Sequence, residues 1–323
     1  MMLFPGVDLQ QDADGALRCW LETQHARGWL TPVAAAGTRD GFARQFEAAL
    51  GAGFVAADAA VLAMTRTCHP QALPLLSWGE QPATAAPASR PGRRLDLYAI
   101  VDSAERMEQV LAAGVKTVQL RIKAPERPDA AWSDMLRGEV RRSVAACDEA
   151  GAELFVNDHW RLAAEVGARG VHLGQEDVLA LGDAGRAELA ATGMALGISS
   201  HSLWELCRAR VLGPRYIACG PVWPTLTKAM PWRPQGLDNL AWWCRMAGAP
   251  VVAIGGILEP DKVFEAARCG ADGVCIVRGL GEHPRAVVPR LQAALEAGRQ
   301  AAAGTPLEPS QPHPSLDAEK ARG

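Results

Sequence analysis

The sequence Arg215-Tyr216-Ile217-Ala218-Cys219 is followed directly by Gly220-Pro221-Val222-Trp223-Pro224-Thr225-Leu226-Thr227-Lys228. The first part is a short apolar run that predicts a buried strand, and the second is a polar loop with two threonine hydroxyls and one lysine ammonium. Together with backbone N–H groups, such donors suit a phosphate group, which accepts many short hydrogen bonds and attracts positive charge. A buried strand followed by a polar loop is the pattern that recurs in the rest of the chain.

The same kind of apolar run recurs along the chain and alternates with segments that have helical spacing. The other seven runs lie at 97–101, 117–121, 153–156, 170–173, 195–198, 250–254 and 273–277. Eight short strands alternating with helices predict parallel pairing, and a segment of about 200 residues lies at the compact end of the range for a (β/α)8 TIM barrel. A doubly wound open sheet is the alternative. The count of eight and the absence of Gly-x-Gly-x-x-Gly after the first run favour the barrel.

Composition divides the chain into four parts. Residues 81–94 are rich in Pro and Ala and are typical of an exposed linker, and residues 301–323 have the composition of a disordered tail. The barrel is expected over 95–300. Residues 1–80 are expected to form a small helical extension, with helices near 40–50 and 54–65.

Composition also excludes several classes of function. Of 323 residues, 49% are hydrophobic, which supports a full core, and the net charge of −3 gives no general attraction to nucleic acid or anionic membranes. No apolar run reaches the ~20 residues that span a bilayer, and the first residues do not resemble a secretory signal. The eight cysteines contain no Cys-x-x-Cys pair, which favours reduced thiols in the cytoplasm. We therefore expect small-molecule partners, and the sequence leaves open whether the chain forms a homo-oligomer.

Polar residues and glycines follow the predicted strands, where the active site of a (β/α)8 barrel lies. The set that we single out consists of Gln119, Arg121, Lys123, Asn157, Asp158, Asp177, Ser199, Thr225, Thr227, Lys228, Gly255 and Gly256. Three of these are cations and two are carboxylates, a combination that indicates Mg²⁺ between carboxylates and phosphate oxygens. The glycine pair lets backbone N–H groups approach a second phosphate. The residues therefore predict two phosphorylated ligands, one bound with metal and one bound by glycine-rich turns.

Structural roles compete with these interpretations. Asp158 and Asp177 each precede a predicted helix and could serve only as helix N-terminal acids. Arg121 and Lys123 could form a solvated edge. His172 lies within a strand and is interpreted as a packed core histidine, and His201 as a structural or capping residue.

The motifs, taken in order, resemble those of the thiamine-phosphate synthase family over about residues 96–280. The matching segments are 118–123, 156–158, 170–177, 197–202, 220–228 and 253–257. The resemblance implies an enzyme that joins 4-amino-5-hydroxymethyl-2-methylpyrimidine diphosphate to hydroxyethylthiazole phosphate. The products would be thiamine phosphate and pyrophosphate, and the implied substitution is dissociative, through a carbocation.

The resemblance also implies roles for individual residues. Binding of the pyrimidine diphosphate is implied for Gln119, Arg121, Lys123, Asn157, Ser199 and Lys228, of which Arg121, Lys123 and Lys228 would be catalytic. Mg²⁺ ligation is implied for Asp158 and Asp177. Binding of the thiazole phosphate is implied for Thr225, Thr227, Gly256, Val277 and Arg278.

The chain departs from the family pattern at two of these places. The family often has Glu where Ile122 stands, but neighbouring strand residues point to opposite faces, so Arg121 and Lys123 still share one face. The family often has Ser where Arg278 stands. Arginine is larger than serine, but it can bind phosphate through two parallel hydrogen bonds.

Other functions remain alternatives from the sequence alone. A thiazole tautomerase on the same barrel would need neither a diphosphate site nor a metal, and a non-catalytic thiazole or thiamine phosphate regulator would be expected to have lost some of those residues. A generic phosphate-binding barrel such as an epimerase does not explain two aspartates beside three cations. Residues 53–63 of the extension resemble the carboxyl-terminal part of phosphomethylpyrimidine kinases. The extension carries no catalytic motif that we can place, so a helical appendage packed on the barrel is favoured.

Overall fold

The computed structural model of the chain describes residues 4, 6–13, 15–33, 37–83, 92–225, 231–305, 307 and 310–316. The N-terminal extension contains strands β1 (Val7–Gln11), β2 (Leu17–Glu22) and β3 (Arg27–Thr31), helices α1 (Arg39–Gly51) and α2 (Ala56–Cys68), and strand β4 (Leu75–Leu76). The strands form one antiparallel sheet in the order β1-β2-β3-β4. The two predicted helices are confirmed. The expectation of a purely helical extension is corrected, because a four-stranded sheet packs with them.

The rest of the chain forms the barrel. Its strands are β5 (Asp96–Val101), β6 (Thr117–Leu120), β7 (Glu153–Asn157), β8 (Gly170–Leu173), β9 (Ala195–Ser200), β10 (Tyr216–Cys219), β11 (Val251–Ala253) and β12 (Gly273–Ile276). All neighbouring pairs are parallel, and β12 pairs with β5 to close the barrel. The predicted (β/α)8 architecture is confirmed, and all eight predicted strands are present.

Helices connect the barrel strands and surround them. They are α3 (Ala104–Ala112), α4 (Ala130–Ala150), α5 (Trp160–Glu165), α6 (Gln175–Ala180), α7 (Gly182–Ala191), α8 (Leu203–Arg210), α9 (Gly236–Met246), α10 (Pro260–Arg268) and α11 (Pro284–Gly304), with a 3-10 turn at Arg278–Leu280. Several begin at a side-chain cap of the expected type. Ser103 accepts the Arg106 N–H before α3, and Asp129 accepts the Trp132 N–H before α4. None of the helices in the described ranges is long and apolar enough to cross a membrane.

Aromatic rings fill the interior of the barrel. Tyr98, Phe155 and Tyr216 are each at most 1% exposed and contact one another edge to face or tilted. Gly197 of β9 lies beside Tyr216 of β10, and a Cβ placed there would lie 2.3 Å from the Tyr216 Cζ atom. The absence of a side chain at 197 therefore makes room for this ring.

The carboxyl-terminal segment differs from the expected disordered tail. Helix α11 continues to Gly304, and Ser315 and Leu316 are buried. The backbone N–H of His313 donates to Asn239 Oδ1 at 2.8 Å, and its Nε2 lies 2.9 Å from the Gln235 carbonyl oxygen. Buried polar groups at the start of α9 and at the residue before it thus hold His313 through specific hydrogen bonds, which composition alone does not reveal. Residues 84–91 of the predicted linker lie outside the described residues.

Candidate active site

Gln119 lies near the end of β6, and Arg121 and Lys123 lie in the loop that follows it. Gln119 is 2% exposed, and its Nε2 donates a hydrogen bond of 3.0 Å to the Tyr98 hydroxyl. Arg121 is half-buried and Lys123 is exposed, and the Arg121 N–H donates to the Val101 carbonyl. The amide is therefore fixed in the interior, while the two cations stand at the rim.

A chain of hydrogen bonds crosses the barrel interior from Gln119 to Ser199. The Tyr98 hydroxyl lies 2.6 Å from the Tyr216 hydroxyl, which in turn lies 2.7 Å from His172 Nδ1. His172 Nε2 lies 2.9 Å from the Ser199 hydroxyl. The chain joins side chains of β5, β6, β8, β9 and β10, so it ties together two of the predicted ligand-binding residues.

The imidazole of His172 is neutral. Burial lowers the pKa of His172 to about 3, and the positive charges of Arg121 and His201 add to the effect. The interpretation of His172 as a buried histidine is confirmed, but its two ring nitrogens are both used in the polar chain. Sequence analysis missed Tyr98 and Tyr216 because each looks like an ordinary core residue of an apolar run.

Asp158 and Asp177 carry the carboxylates of the predicted metal site. Partial loss of water raises the pKa of Asp158, and the negative charge of Asp177 raises it further, while His159, Arg121 and Asn157 oppose the rise. The two carboxylates therefore lie close enough to repel each other. Asp158 also has a left-handed φ of 64°, directly after β7, which is an uncommon conformation for a residue other than glycine.

One carboxylate oxygen of Asp177 has the structural role considered above, that of a helix N-terminal acid. Its Oδ2 accepts the Gly174 N–H at 2.9 Å at the start of α6, as a helix N-terminal acid does. In the described ranges no group of three or more His, Cys, Asp or Glu side chains could hold a metal ion. Two like-charged oxygen donors suit Mg²⁺, which usually takes one or two protein carboxylates and completes its shell with water and substrate phosphate.

The loops after β10 and β11 touch each other at the second predicted ligand site. Val222 N donates to the Ile254 carbonyl at 2.8 Å, and Trp223 N donates to the Gly255 carbonyl at 3.1 Å. Gly256 has a φ of 71°, and a Cβ there would lie 2.6 Å from Trp223 Cβ. Only glycine permits this close approach, and it places the segment that leads to Thr225 against the glycine pair.

The turn after β12 completes this side of the mouth. Val277 and Arg278 are exposed, and a Cβ at the next residue, Gly279, would lie 2.9 Å from the Leu258 carbonyl oxygen in the loop after β11. Lys262 of α10, which sequence analysis missed, donates from Nζ to the Gly256 carbonyl at 3.1 Å. Its ammonium also lies 5.4 Å from the centre of the Trp223 ring. Lys262 lies in the first turn of α10, and nothing in the sequence there indicates a contact with Gly256 or Trp223.

Two of the predicted residues, Thr227 and Lys228, lie outside the described residues. Asn157 is buried at the end of β7 beside Asp158, and it pairs in register with His172. His201 has a structural position: its Nδ1 lies 3.0 Å from Glu205 Oε2, and its ring stacks on Trp232 with centroids 5.2 Å apart.

Comparison with known proteins shows the family of the chain. A family model described as "Thiamine monophosphate synthase" matches residues 97–280. The chain belongs to the thiamine monophosphate synthase family. This confirms the resemblance drawn from the motifs, and the match begins after the N-terminal extension.

Named relatives match between 59% and 64% of the chain. A thiamine-phosphate synthase of Neisseria meningitidis is 46% identical over 202 residues, which are 62% of this chain and 94% of that protein. A thiamine-phosphate synthase of Rhizobium etli is 45% identical over 193 residues, 59% of this chain and 90% of the relative. The solved structure of a thiamine phosphate pyrophosphorylase from Pyrococcus furiosus has a TM-score of 0.54 and 30% identity, and the match covers 64% of this chain and 97% of that one.

Proposed function

We propose that this chain joins 4-amino-5-hydroxymethyl-2-methylpyrimidine diphosphate to hydroxyethylthiazole phosphate, giving thiamine phosphate and pyrophosphate. The observation that carries the proposal is electrostatic. Arg121 follows β6, Asp158 follows β7 and Asp177 follows β8, which are adjacent strands of the barrel, and the charges of Arg121 and Asp177 both act on the pKa of Asp158. Cation and paired carboxylates therefore meet at adjacent strand ends of a family member, as binding of a metal-bound diphosphate requires.

The reaction needs stabilisation of a leaving group more than it needs a nucleophilic side chain. Pyrophosphate departs from the exocyclic carbon of the pyrimidine, and the amino-pyrimidine ring delocalises the resulting positive charge. The thiazole nitrogen then attacks that carbon. Arg121, Lys123 and Lys228 would hold the negative charge that develops on the diphosphate, which is the form of stabilisation that a preorganised site provides best.

Asp158 and Asp177 would hold Mg²⁺, and a bound Mg²⁺ would supply additional positive charge to the diphosphate. Their mutual repulsion and their oxygen donors support this assignment. Asp177 retains oxygen lone pairs beyond the one that accepts the Gly174 N–H, so capping α6 and binding a cation are compatible.

The polar chain in the barrel interior would orient two groups toward the pyrimidine diphosphate. We propose the proton order in which the Tyr98 hydroxyl, an acceptor from Gln119 Nε2, donates to Tyr216, and the Tyr216 hydroxyl donates to His172 Nδ1. A neutral His172 then carries its proton on Nε2 and donates it to Ser199. The Ser199 hydroxyl proton is left to donate to a diphosphate oxygen.

The second substrate would bind on the other side of the mouth. Thr225, Thr227, Gly256, Val277 and Arg278 are proposed for its phosphate. The contact between the loops after β10 and β11 supports the pairing of Thr225 with Gly256. Holding the thiazole beside the pyrimidine shortens the life of the carbocation and limits its capture by water.

A cytoplasmic location is part of the proposal. All eight cysteines are free, and seven of them are buried. Free thiols of this kind persist in a reducing compartment.

The test is incubation of the purified protein with both substrates and Mg²⁺, with thiamine phosphate measured as its fluorescent thiochrome. We expect product that depends on both substrates and disappears when EDTA is added. Asp177→Asn should raise the Mg²⁺ concentration needed for half-maximal rate, whereas Glu176→Gln, which changes the exposed neighbouring carboxylate, should not. Absence of product with thiazole phosphate still bound would favour a tautomerase or a regulator.

A further inference from the structure

Helix α8 is buried along nearly its whole length. The structure gives Leu203, Trp204, Glu205, Leu206, Cys207, Arg208 and Ala209 as buried. The outer helices of a (β/α)8 barrel form its outermost layer and turn a polar face to water. Here the N-terminal extension covers that face of α8.

The contacts at the carboxyl-terminal end of α8 come from the sheet of the extension and the segment that leads to it. Trp78 Nε1 donates to the Arg208 carbonyl at 2.9 Å, and Arg208 donates back to the Arg27 carbonyl at 2.8 Å. Arg210 donates to the Leu73 carbonyl at 2.6 Å. The extension is thus bound to α8 by directional hydrogen bonds as well as by apolar packing.

At the other end of α8, the extension contributes a buried carboxylate. Asp58 of α2 is 1% exposed, and its Oδ1 accepts the Trp204 N–H at 3.0 Å. The first N–H groups of a helix have no partner within the helix, so Asp58 satisfies a donor that Ser202, the cap of α8 itself, does not reach. Burial raises the pKa of Asp58 to about 7, and the nearby Glu205 adds to the rise while the Trp204 and Leu203 N–H groups oppose it.

The same first turn of α8 holds the end of β9. The Glu205 carboxylate lies 3.0 Å from His201 Nδ1 and also accepts the His201 backbone N–H. The Glu205 carbonyl accepts from Gln175 Nε2 at 3.2 Å. That amide nitrogen also donates to the Ser200 hydroxyl at 2.9 Å and to the Ser199 carbonyl at 3.2 Å. A displacement of the first turn of α8 would therefore move Ser199.

We propose that Asp58 is a positioning residue: from the N-terminal extension it fixes the first turn of α8, and through Glu205 and Gln175 it sets the position of Ser199 for the pyrimidine diphosphate. This inference rests on the proposed function of Ser199. It assigns the extension a part in the substrate site, although the family match begins after it. The thiazole phosphate side of the mouth is built from the loops after β10, β11 and β12, so it should respond much less.

The test compares Asp58→Ala, which removes the carboxylate that accepts the Trp204 N–H, with Asp58→Asn, which keeps an acceptor oxygen. We expect Asp58→Ala to raise KM for the pyrimidine diphosphate about tenfold, in line with the loss of a helix cap, and to leave KM for the thiazole phosphate within about twofold. Asp58→Asn should restore most of the affinity. Asp40→Ala removes an exposed aspartate from the first turn of α1 in the same extension, and should change neither constant.

Hydrogen exchange supplies a readout that does not depend on activity. We expect the amides of Leu203, Trp204 and residues 199–201 to exchange faster in Asp58→Asn than in the wild type. In Asp58→Ala the same amides should exchange faster still. An Asp58→Ala protein that exchanges like the wild type at 199–201, or that raises both KM values equally, would overturn the positioning role. If Asp58→Ala does not fold, the exchange of residues 199–201 in Asp58→Asn decides. If the wild type makes no thiamine phosphate, the proposed function fails, and the exchange data still test the path from Asp58 to residues 199–201.

Discussion

The hydroxyl of Tyr98 lies 2.6 Å from the hydroxyl of Tyr216 in the interior of the barrel. These are the two tyrosines of the chain. Their rings meet edge to face with centroids 5.5 Å apart, and they come from β5 and β10, which are not neighbours in the barrel. A hydroxyl buried in such a place needs a partner, and each tyrosine provides one for the other. The pair is the centre of the polar chain that connects Gln119 with Ser199.

Replacement of Tyr216 by Phe tests whether this chain positions substrate-binding groups. The variant removes a hydroxyl that bonds both Tyr98 and His172, so two buried polar groups lose a partner, and we expect the free energy of unfolding to fall by about 1–3 kcal/mol. We also expect KM for the pyrimidine diphosphate to rise, because His172 no longer holds Ser199 in one orientation. Urea unfolding and steady-state kinetics measure the two effects.

Tyr98→Phe is the matched comparison, since it disconnects Gln119 and leaves the bond between Tyr216 and His172 in place. A Tyr216→Phe protein with lower stability but unchanged KM would assign the chain to folding alone.

The protonation of His172 gives a second prediction. Because its pKa is lowered to about 3 in the folded state, the imidazole should stay neutral down to low pH, and the proposed proton order places its proton on Nε2. Two-dimensional NMR of ¹⁵N-histidine-labelled protein should show one ring whose nitrogen shifts do not move between pH 5 and 8, in the Nε2–H form. A resonance of His172 that titrates near the ordinary value of about 6.5 would contradict the polar chain as described.

The same shift has a defined sign for stability. Between about pH 3 and 6.5 the unfolded chain binds a proton at this residue and the folded chain does not, so the His172 contribution to stability falls as the pH falls through 6.5. Comparison with His172→Gln, which does not titrate, should show a smaller loss of stability over that range.

Sequence periodicity predicted the barrel because each barrel strand is buried on both faces and therefore reads as one apolar run. The run at 97–101 corresponds to β5, and the run at 216–219 coincides with β10. The sheet of the extension was missed for the opposite reason. In β2, buried Leu17, Cys19 and Leu21 alternate with more exposed neighbours, a period-two pattern of a half-buried strand that an emphasis on helical spacing overlooks.

Site residues could be predicted from the sequence where the side chain itself indicates the chemistry. They could not be predicted where a contact with a distant part of the chain decides the role of the residue. Asp158 and Asp177 stood out as carboxylates at strand ends, and the structure places them in electrostatic contact. Asp58 did not stand out, because its partner is a helix start at Trp204, 146 residues further along the chain. Nothing in the local sequence indicates that pairing.

Replacement of Gly197 by Ala tests the packing of the barrel interior. The new Cβ would lie 2.3 Å from Cζ and 2.4 Å from the hydroxyl oxygen of Tyr216, a ring that is fully buried and has little room to move. We expect a loss of about 1–3 kcal/mol in the free energy of unfolding, as for other overpacked cores, and a disturbed bond between Tyr216 and His172. Gly138→Ala, on α4 where a Cβ meets nothing within 4 Å, is the control and should be neutral or stabilising. Equal stability of the two variants would show that the ring can be accommodated elsewhere.

The last prediction concerns Arg278, which stands where the family often has serine. Arg278 is exposed in the turn after β12, and that turn abuts the loop that follows Gly256. If its guanidinium binds the thiazole phosphate, Arg278→Ala should raise KM for that substrate by about ten- to a hundredfold, the loss expected for a charge-assisted hydrogen bond, and leave KM for the pyrimidine diphosphate unchanged. Arg285→Ala, which removes an exposed arginine from the start of α11, controls for the general loss of positive charge. Because serine can bind phosphate only through one hydroxyl, Arg278→Ser should recover part of the affinity if backbone N–H groups of the turn share the binding. Recovery to the wild-type KM would instead show that the guanidinium points to solvent and that the turn itself binds the phosphate.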